Sequence, residues 1–101
     1  MNEITIHDLL KLKEKVQIID IREKYEYDNG HIDSIHIPMG QILESKQKIS
    51  KDKTVIIYCQ SGRRAAAVVY MLKNKFHFNN VYNLIGGYSA YKDLQQTQKT
   101  N

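Results

Sequence analysis

Apolar residues along this chain fall into short runs separated by polar segments of mixed charge. "VQIIDI" and "TVIIY" are β-rich runs, the second apolar nearly throughout, as a strand buried on both faces of a parallel sheet must be. "VYNL" reads as a shorter third strand and "SIHI" as a fourth. Between them the pattern becomes helical. "TIHDLLKLKEK" opens with Thr5 as an N-cap and Asp8 three residues on, and "REKYEYDNG" runs to Gly30. "MGQILESKQKIS", "RRAAAVVYMLKNK" and "GYSAYKDLQQ" give three further helices. Strands alternating with helices at this spacing imply βα units and right-handed crossovers. The expected fold is α/β, with a mainly parallel sheet covered on both faces.

A length of 101 residues suits one compact domain. No internal repeat or low-complexity linker divides it. The domain is expected to span 1–94, with the polar "QQTQKTN" at 95–101 fraying. The apolar run "AAAVVYML" falls short of the roughly 20 residues of a membrane span. The N-terminus lacks the order of a secretory signal, so the expected compartment is cytoplasmic. A net charge of +4 raises the question of a nucleic-acid partner. The lysines are scattered among acids with no aromatic-interleaved basic stripe, so neither a nucleic acid nor a membrane is expected as partner. A small anionic substrate fits this surface better.

The single cysteine, Cys59, leaves the "TVIIY" strand. Ligands of such sheets bind beyond the carboxyl ends of the strands. Gln60, Ser61, Gly62, Arg63 and Arg64 then lead into the helical run from Ala65. Gly62 permits backbone angles that other residues resist, and the first amides of the helix have no partner within it. Helix N-termini and nearby arginines favour the thiolate form of a cysteine and accommodate anions. From the loop, Cys59 is either a nucleophile in an amide cradle or a small buried hydrophobe at a strand end. One cysteine excludes an internal disulfide and a thiolate-rich zinc site.

"YCQSGRRA" resembles the active-site loop of the rhodanese (sulfurtransferase) family: a cysteine, an internal glycine and a closing arginine. "IIDIREKYEYDNGHIDSIHIP" is similar to the first signature of that family, and "VYNLIGGYSAYK" to its last. The departures are Ser34 and Ile35 after the glycine-histidine-isoleucine stretch, and Tyr88 where a tryptophan is frequent. The resemblance implies a three-layer domain with about five strands. It makes Cys59 the nucleophile that takes sulfur from a donor such as thiosulfate, holds it as a persulfide and passes it to a thiol or cyanide. The acceptor can also be a protein, the domain then acting as a carrier or docking module. The amides of Gln60 to Arg64 would stabilise the persulfide, and Arg63 and Arg64 would attract an anionic donor. Asp20 would accept hydrogen bonds near the loop. Arg22 and Glu26, four apart at a helix start, are expected to pair with each other as supporting residues.

No cofactor is expected. His7, His31, His36 and His77 lie in different segments without the spacing of a helical metal pair, so no metal site is expected. His31 is expected to make a structural hydrogen bond, and Tyr58 and Tyr88 to lie near the site. Gly86 and Gly87 are too few for a nucleotide loop. A cysteine phosphatase or arsenate reductase is the rival enzyme class. The phosphatase spacing would place its arginine at position 65, which is Ala65.

Overall fold

The run Thr54–Tyr58 forms the central strand of a five-stranded sheet, and its composition explains the layers around it. The computed structural model describes residues 2–99. In chain order the elements are β1 (Glu3–Ile4), α1 (Ile6–Leu12), β2 (Val16–Asp20), α2 (Lys24–Asp28) and β3 (Ile35–His36). They are followed by β4 (Thr54–Tyr58), α3 (Arg63–Phe76), β5 (Val81–Leu84) and α4 (Gly87–Lys99). The sheet runs β1-β5-β4-β2-β3, with every pair parallel.

Side chains of a strand alternate between faces, so β4 needs apolar residues on both. Val55 and Ile57 pack with Val68 and Leu72 of α3. Ile56 and Tyr58 face the other way, onto Ile6 and Leu9 of α1 and Leu94 of α4. The Thr5 cap forms as expected, its Oγ1 accepting from Asp8 N at 3.2 Å.

Four elements differ from expectation. β1 is two residues long, too short to show alternation, and "SIHI" contracts to Ile35–His36. "MGQILESKQKIS" forms two 3-10 segments, Met39–Gln41 and Leu43–Lys48, with a non-helical Ser45. Ile42 and Ile49 anchor it in the core on either side of that kink, so their apolar spacing imitates a helix. "REKYEYDNG" gives only the five-residue α2. The last helix, α4, runs past Leu94 to Lys99. Polar residues sustain that turn through side-chain bonds, Gln95 Nε2 to Tyr91 Oη and Thr97 Oγ1 to Asp93 O. Thr100 and Asn101 lie outside the described residues.

Candidate active site

Strands β2 and β4 are in register with Asp20 opposite Tyr58, so the two chains leave the sheet side by side. Ile21 N still donates to Tyr58 O at 3.0 Å, and beyond it the paths diverge. One becomes Cys59 and its loop; the other becomes Arg22 and α2.

Cys59 is 1% exposed and packs among Ala65 and Val68. Burial alone would suit the small-hydrophobe reading. The surroundings of the sulfur are polar, however. Gly62 N donates to Sγ at 3.2 Å and Ala65 N at 3.3 Å. Gly62 makes this geometry available: it caps α3 at φ +103°, a region closed to most side chains. It offers no side chain to take the helix's first amides, and the sulfur takes two of them instead. The donor from Ala65 lies one residue beyond the loop identified in the sequence.

The same loop is held from behind by α4. Tyr88 N donates to Cys59 O at 2.8 Å and Ser89 N to Gln60 O at 3.0 Å. A Cβ on Gly87 would stand 2.3 Å from Cys59 O, so only glycine lets the helix approach this closely. The adjacent glycines of "IGGY" were the available signal for this contact. Two helix N-termini therefore converge on Cys59, one on its sulfur and one on its carbonyl oxygen.

Asp20 and Arg22 form a buried pair beside the loop. The Arg22 backbone N donates to Asp20 Oδ1 at 2.9 Å and its Nη2 to Oδ2 at 2.7 Å, with side chains 2% and 0% exposed. Burial by itself would lower the Arg22 pKa, but the hydrogen bonds and charge of Asp20 more than reverse this and raise it. The guanidinium lies over the rings of Tyr58 and Tyr88, 5.5 and 4.3 Å from their centroids. Its Nη1 donates to Gln60 Oε1 at 3.2 Å, and Gln60 Nε2 donates to Ser89 Oγ at 3.2 Å. Arg22 thus connects Asp20 to the loop. Burial pushes the Tyr58 phenol well above its ordinary range, and its oxygen accepts from Ile32 N at 3.0 Å.

The expected pairing of Arg22 with Glu26 does not form. Arg22 precedes α2, which begins at Lys24, so the i, i+4 geometry of a helix does not apply to it. Glu26 instead takes Arg64 in a bidentate pair, Nη1 to Oε1 at 3.0 Å and Nη2 to Oε2 at 3.1 Å. The bond to Glu26 is the main cause that raises the Arg64 pKa, and the Cys59 side chain adds to it. In turn the bond from Arg64 holds the Glu26 carboxyl below its ordinary value. Arg63 and Ser61 are exposed, and no hydrogen bond or ion pair of the Arg63 side chain occurs among the described residues. His31 makes its structural bond, Nδ1 against Tyr27 O at 2.8 Å, with its ring stacked on Tyr27.

A parallel α/β sheet that delivers an amide-cradled cysteine to a helix N-terminus defines a class of cysteine-loop domains, and comparison with known proteins narrows it. Residues 5–94 match the family model of the rhodanese-like domain. The chain belongs to the rhodanese family of sulfurtransferases. The thiosulfate sulfurtransferase GlpE of Coxiella burnetii is 32% identical over 90 residues, covering 88% of this chain and 83% of that protein. A rhodanese-related protein from Thermoplasma volcanium superposes with a TM-score of 0.86 at 27% identity, over 93% of each chain. A rhodanese-like domain protein from Staphylococcus aureus gives 0.82 at 30% identity, over 90% of this chain and 91% of its own.

Proposed function

We propose that this protein is a cytoplasmic sulfurtransferase that moves a sulfane sulfur through a persulfide on Cys59. The observation carrying this reading is the pair of amides, Gly62 N and Ala65 N, aimed at Sγ from the N-terminus of a 14-residue helix. In the first half-reaction the thiolate attacks the outer sulfur of a donor such as thiosulfate. The S–S bond of the donor breaks, sulfite leaves with the bonding pair, and Cys59 carries the sulfur. In the second, a thiol or cyanide attacks that sulfur and restores the thiolate. Such covalent catalysis has a ping-pong pattern. The amides are fixed before reaction, so they stabilise the sulfur anion without reorganising.

The experiment is the intact mass of reduced protein before and after thiosulfate, beside Cys59→Ser. A gain of one sulfur atom in the wild type, absent in the variant and removed by cyanide or a thiol, is expected. No gain across several sulfane donors would refute the reading.

A second reading, a carrier that passes sulfur to a partner protein, draws on the exposed apolar residues Tyr25, Met39 and Ile85, in segments that leave the carboxyl end of the sheet. It uses the same persulfide. Transfer of labelled sulfur from loaded Cys59 to a protein thiol, much faster than to cyanide, would favour it.

A further inference from the structure

We infer that the cavity between α3 and strands β1 and β5 binds a small neutral heterocycle, whose adjacent hydrogen-bond donor and acceptor are read by the side-chain amide of Asn83. Asn83 is the residue of β5 that packing does not explain. It alternates with Leu84 along the strand and shares a face with Val81, which joins the core under α3. β5 lies between β1 and β4, with Asn83 opposite Glu3 and Ile57, and Asn83 is only 6% exposed. Among the described residues its Oδ1 has no hydrogen-bond partner and its Nδ2 makes no hydrogen bond. A buried amide without partners carries a desolvation cost that an apolar side chain at this place would avoid. The partner that the fold does not supply must come from solvent or from a ligand.

The cavity that Asn83 lines has a volume of about 250 Å³. One water takes up roughly 30 Å³ of liquid, and an apolar cavity of about 150 Å³ accepts a benzene ring, so the space suits a single ring with a polar edge. Ala66 and Val69 of α3 line it and offer apolar surface to the faces of such a ring. Two other asparagines belong to the lining, but both are engaged within the fold. Asn2 Nδ2 donates to Val81 O at 3.0 Å while its Oδ1 accepts from Lys73 Nζ at 2.8 Å, and Asn74 Nδ2 donates to Tyr70 O at 2.9 Å. Asn83 alone keeps a whole amide for an occupant. An amide has an acceptor and a donor side by side, and its complement is an N–H beside a carbonyl or ring nitrogen, the bidentate pairing by which asparagine reads a heterocyclic base. No hydrogen bond fixes which way the Asn83 amide is turned, so either orientation of that edge is met. The charged residues of the lining, Glu3 and Lys73, are of opposite sign, and a neutral occupant needs no counter-charge from the wall. None of the lining residues belongs to the loop from Cys59 to Arg64, so the site does not rest on the sulfur-transfer reading.

The test is a titration of the nitrogen-15 labelled protein followed by proton–nitrogen NMR. The probes are 2-pyridone and uracil, which carry the N–H and carbonyl edge on one ring, and 1-methyl-2-pyridone, which lacks the donor. Saturable shifts are expected at the Asn83 side-chain amide and at the backbone of Ala66 and Val69 with 2-pyridone or uracil. The methylated ring should bind at least about tenfold more weakly than 2-pyridone, the worth of one hydrogen bond. Asn83→Leu removes the polar edge and should weaken the better probe by about tenfold or more. Ala66→Leu fills the cavity from a partly exposed helix position while keeping Asn83, and it should weaken that probe as much, which holds the test open if the strand variant does not fold. No saturable shift with either probe up to its solubility would mean that Asn83 is met by ordered water only, and the inference falls. It falls equally if the methylated ring binds as well as its parent, or if Ala66→Leu leaves binding unchanged.

Discussion

Two chains leave the sheet side by side, at the ends of β2 and β4, and each turns into a helix, but they treat that helix's N-terminus in opposite ways. At α2 the chain closes the end with its own carboxylate: Glu26 Oε1 accepts from Glu23 N at 3.0 Å in a capping box. Below it, Asp20 and Arg22 neutralise each other in the core. At α3 the cap is Gly62, which has no side chain, and the first amides turn to Cys59 Sγ. Orphan amides at a helix start need an acceptor. A carboxylate supplied from within the chain closes the site, whereas a sulfur atom at a strand end leaves one that can change its charge and its covalent partner. The topology is the same at both exits, and the cap decides which one turns its first amides to a side chain outside the helix.

The largest expected effect breaks the closed exit. Arg22→Met leaves Asp20 as an unpaired charge in the core, which costs about 3–5 kcal/mol when one member of a buried pair is removed. Denaturant unfolding should show that loss. Sulfur loading should fall as well, because Gln60 loses its bond from Arg22 Nη1. A loss below about 1 kcal/mol would mean that the exit is not closed by this pair.

Next comes the support behind the Cys59 exit. Gly87→Ala places a methyl 2.3 Å from Cys59 O and 2.9 Å from Gln60 O, so the loop or α4 must move. Overpacking of this kind costs about 1–3 kcal/mol. The rate of sulfur loading should fall more steeply than stability, since the displaced atoms belong to Cys59 itself. Near-normal loading in a folded variant would remove α4 from the machinery.

These two exits also show what could be read from sequence. The strand "TVIIY", the lone cysteine after it and the glycine ahead of "RRAAAVV" are local features, and each keeps its meaning in the fold. The pairing of Arg22 was misread because local spacing suggests a helix from residue 22, whereas Glu23 is the cap and the helix starts at Lys24. The partner of Glu26 is Arg64, 38 residues away, and no local pattern reports such a contact. The reach of α4 to the loop depends on Gly87 meeting Cys59 across two strand exits. The doublet was visible, but its purpose is tertiary. β1 escaped notice because two residues carry no period.

A smaller effect tests whether the sulfur acts as a cap. Cys59→Ala leaves Gly62 N and Ala65 N without their acceptor, and a buried donor deprived of its partner costs about 1–3 kcal/mol, near the lower end for a weak sulfur acceptor. Cys59→Ser offers an oxygen in the same place and should lie between alanine and the wild type. Equal stability of the three proteins would show that these amides do not depend on the side chain at 59.

The smallest effect concerns the pair that joins the exits, Glu26 with Arg64, and it carries a pH signature. The hydrogen bond from Arg64 holds the Glu26 carboxyl below its ordinary value of 4.5, so on acidification the unfolded chain takes up this proton before the folded one. The stabilisation is therefore complete above the unfolded value and is lost as pH falls through the folded one. The Arg64 side chain is 36% exposed, which keeps the contribution to about 1 kcal/mol or less. Glu26→Gln should thus be less stable than the wild type near neutral pH, and the gap should close below the folded value of Glu26. The other carboxylates titrate in both proteins and cancel in the difference. A gap that persists unchanged into acid would assign the loss to packing or to the capping bond at Glu23 N, leaving the charge of Arg64 less committed to Glu26 than the bidentate geometry indicates.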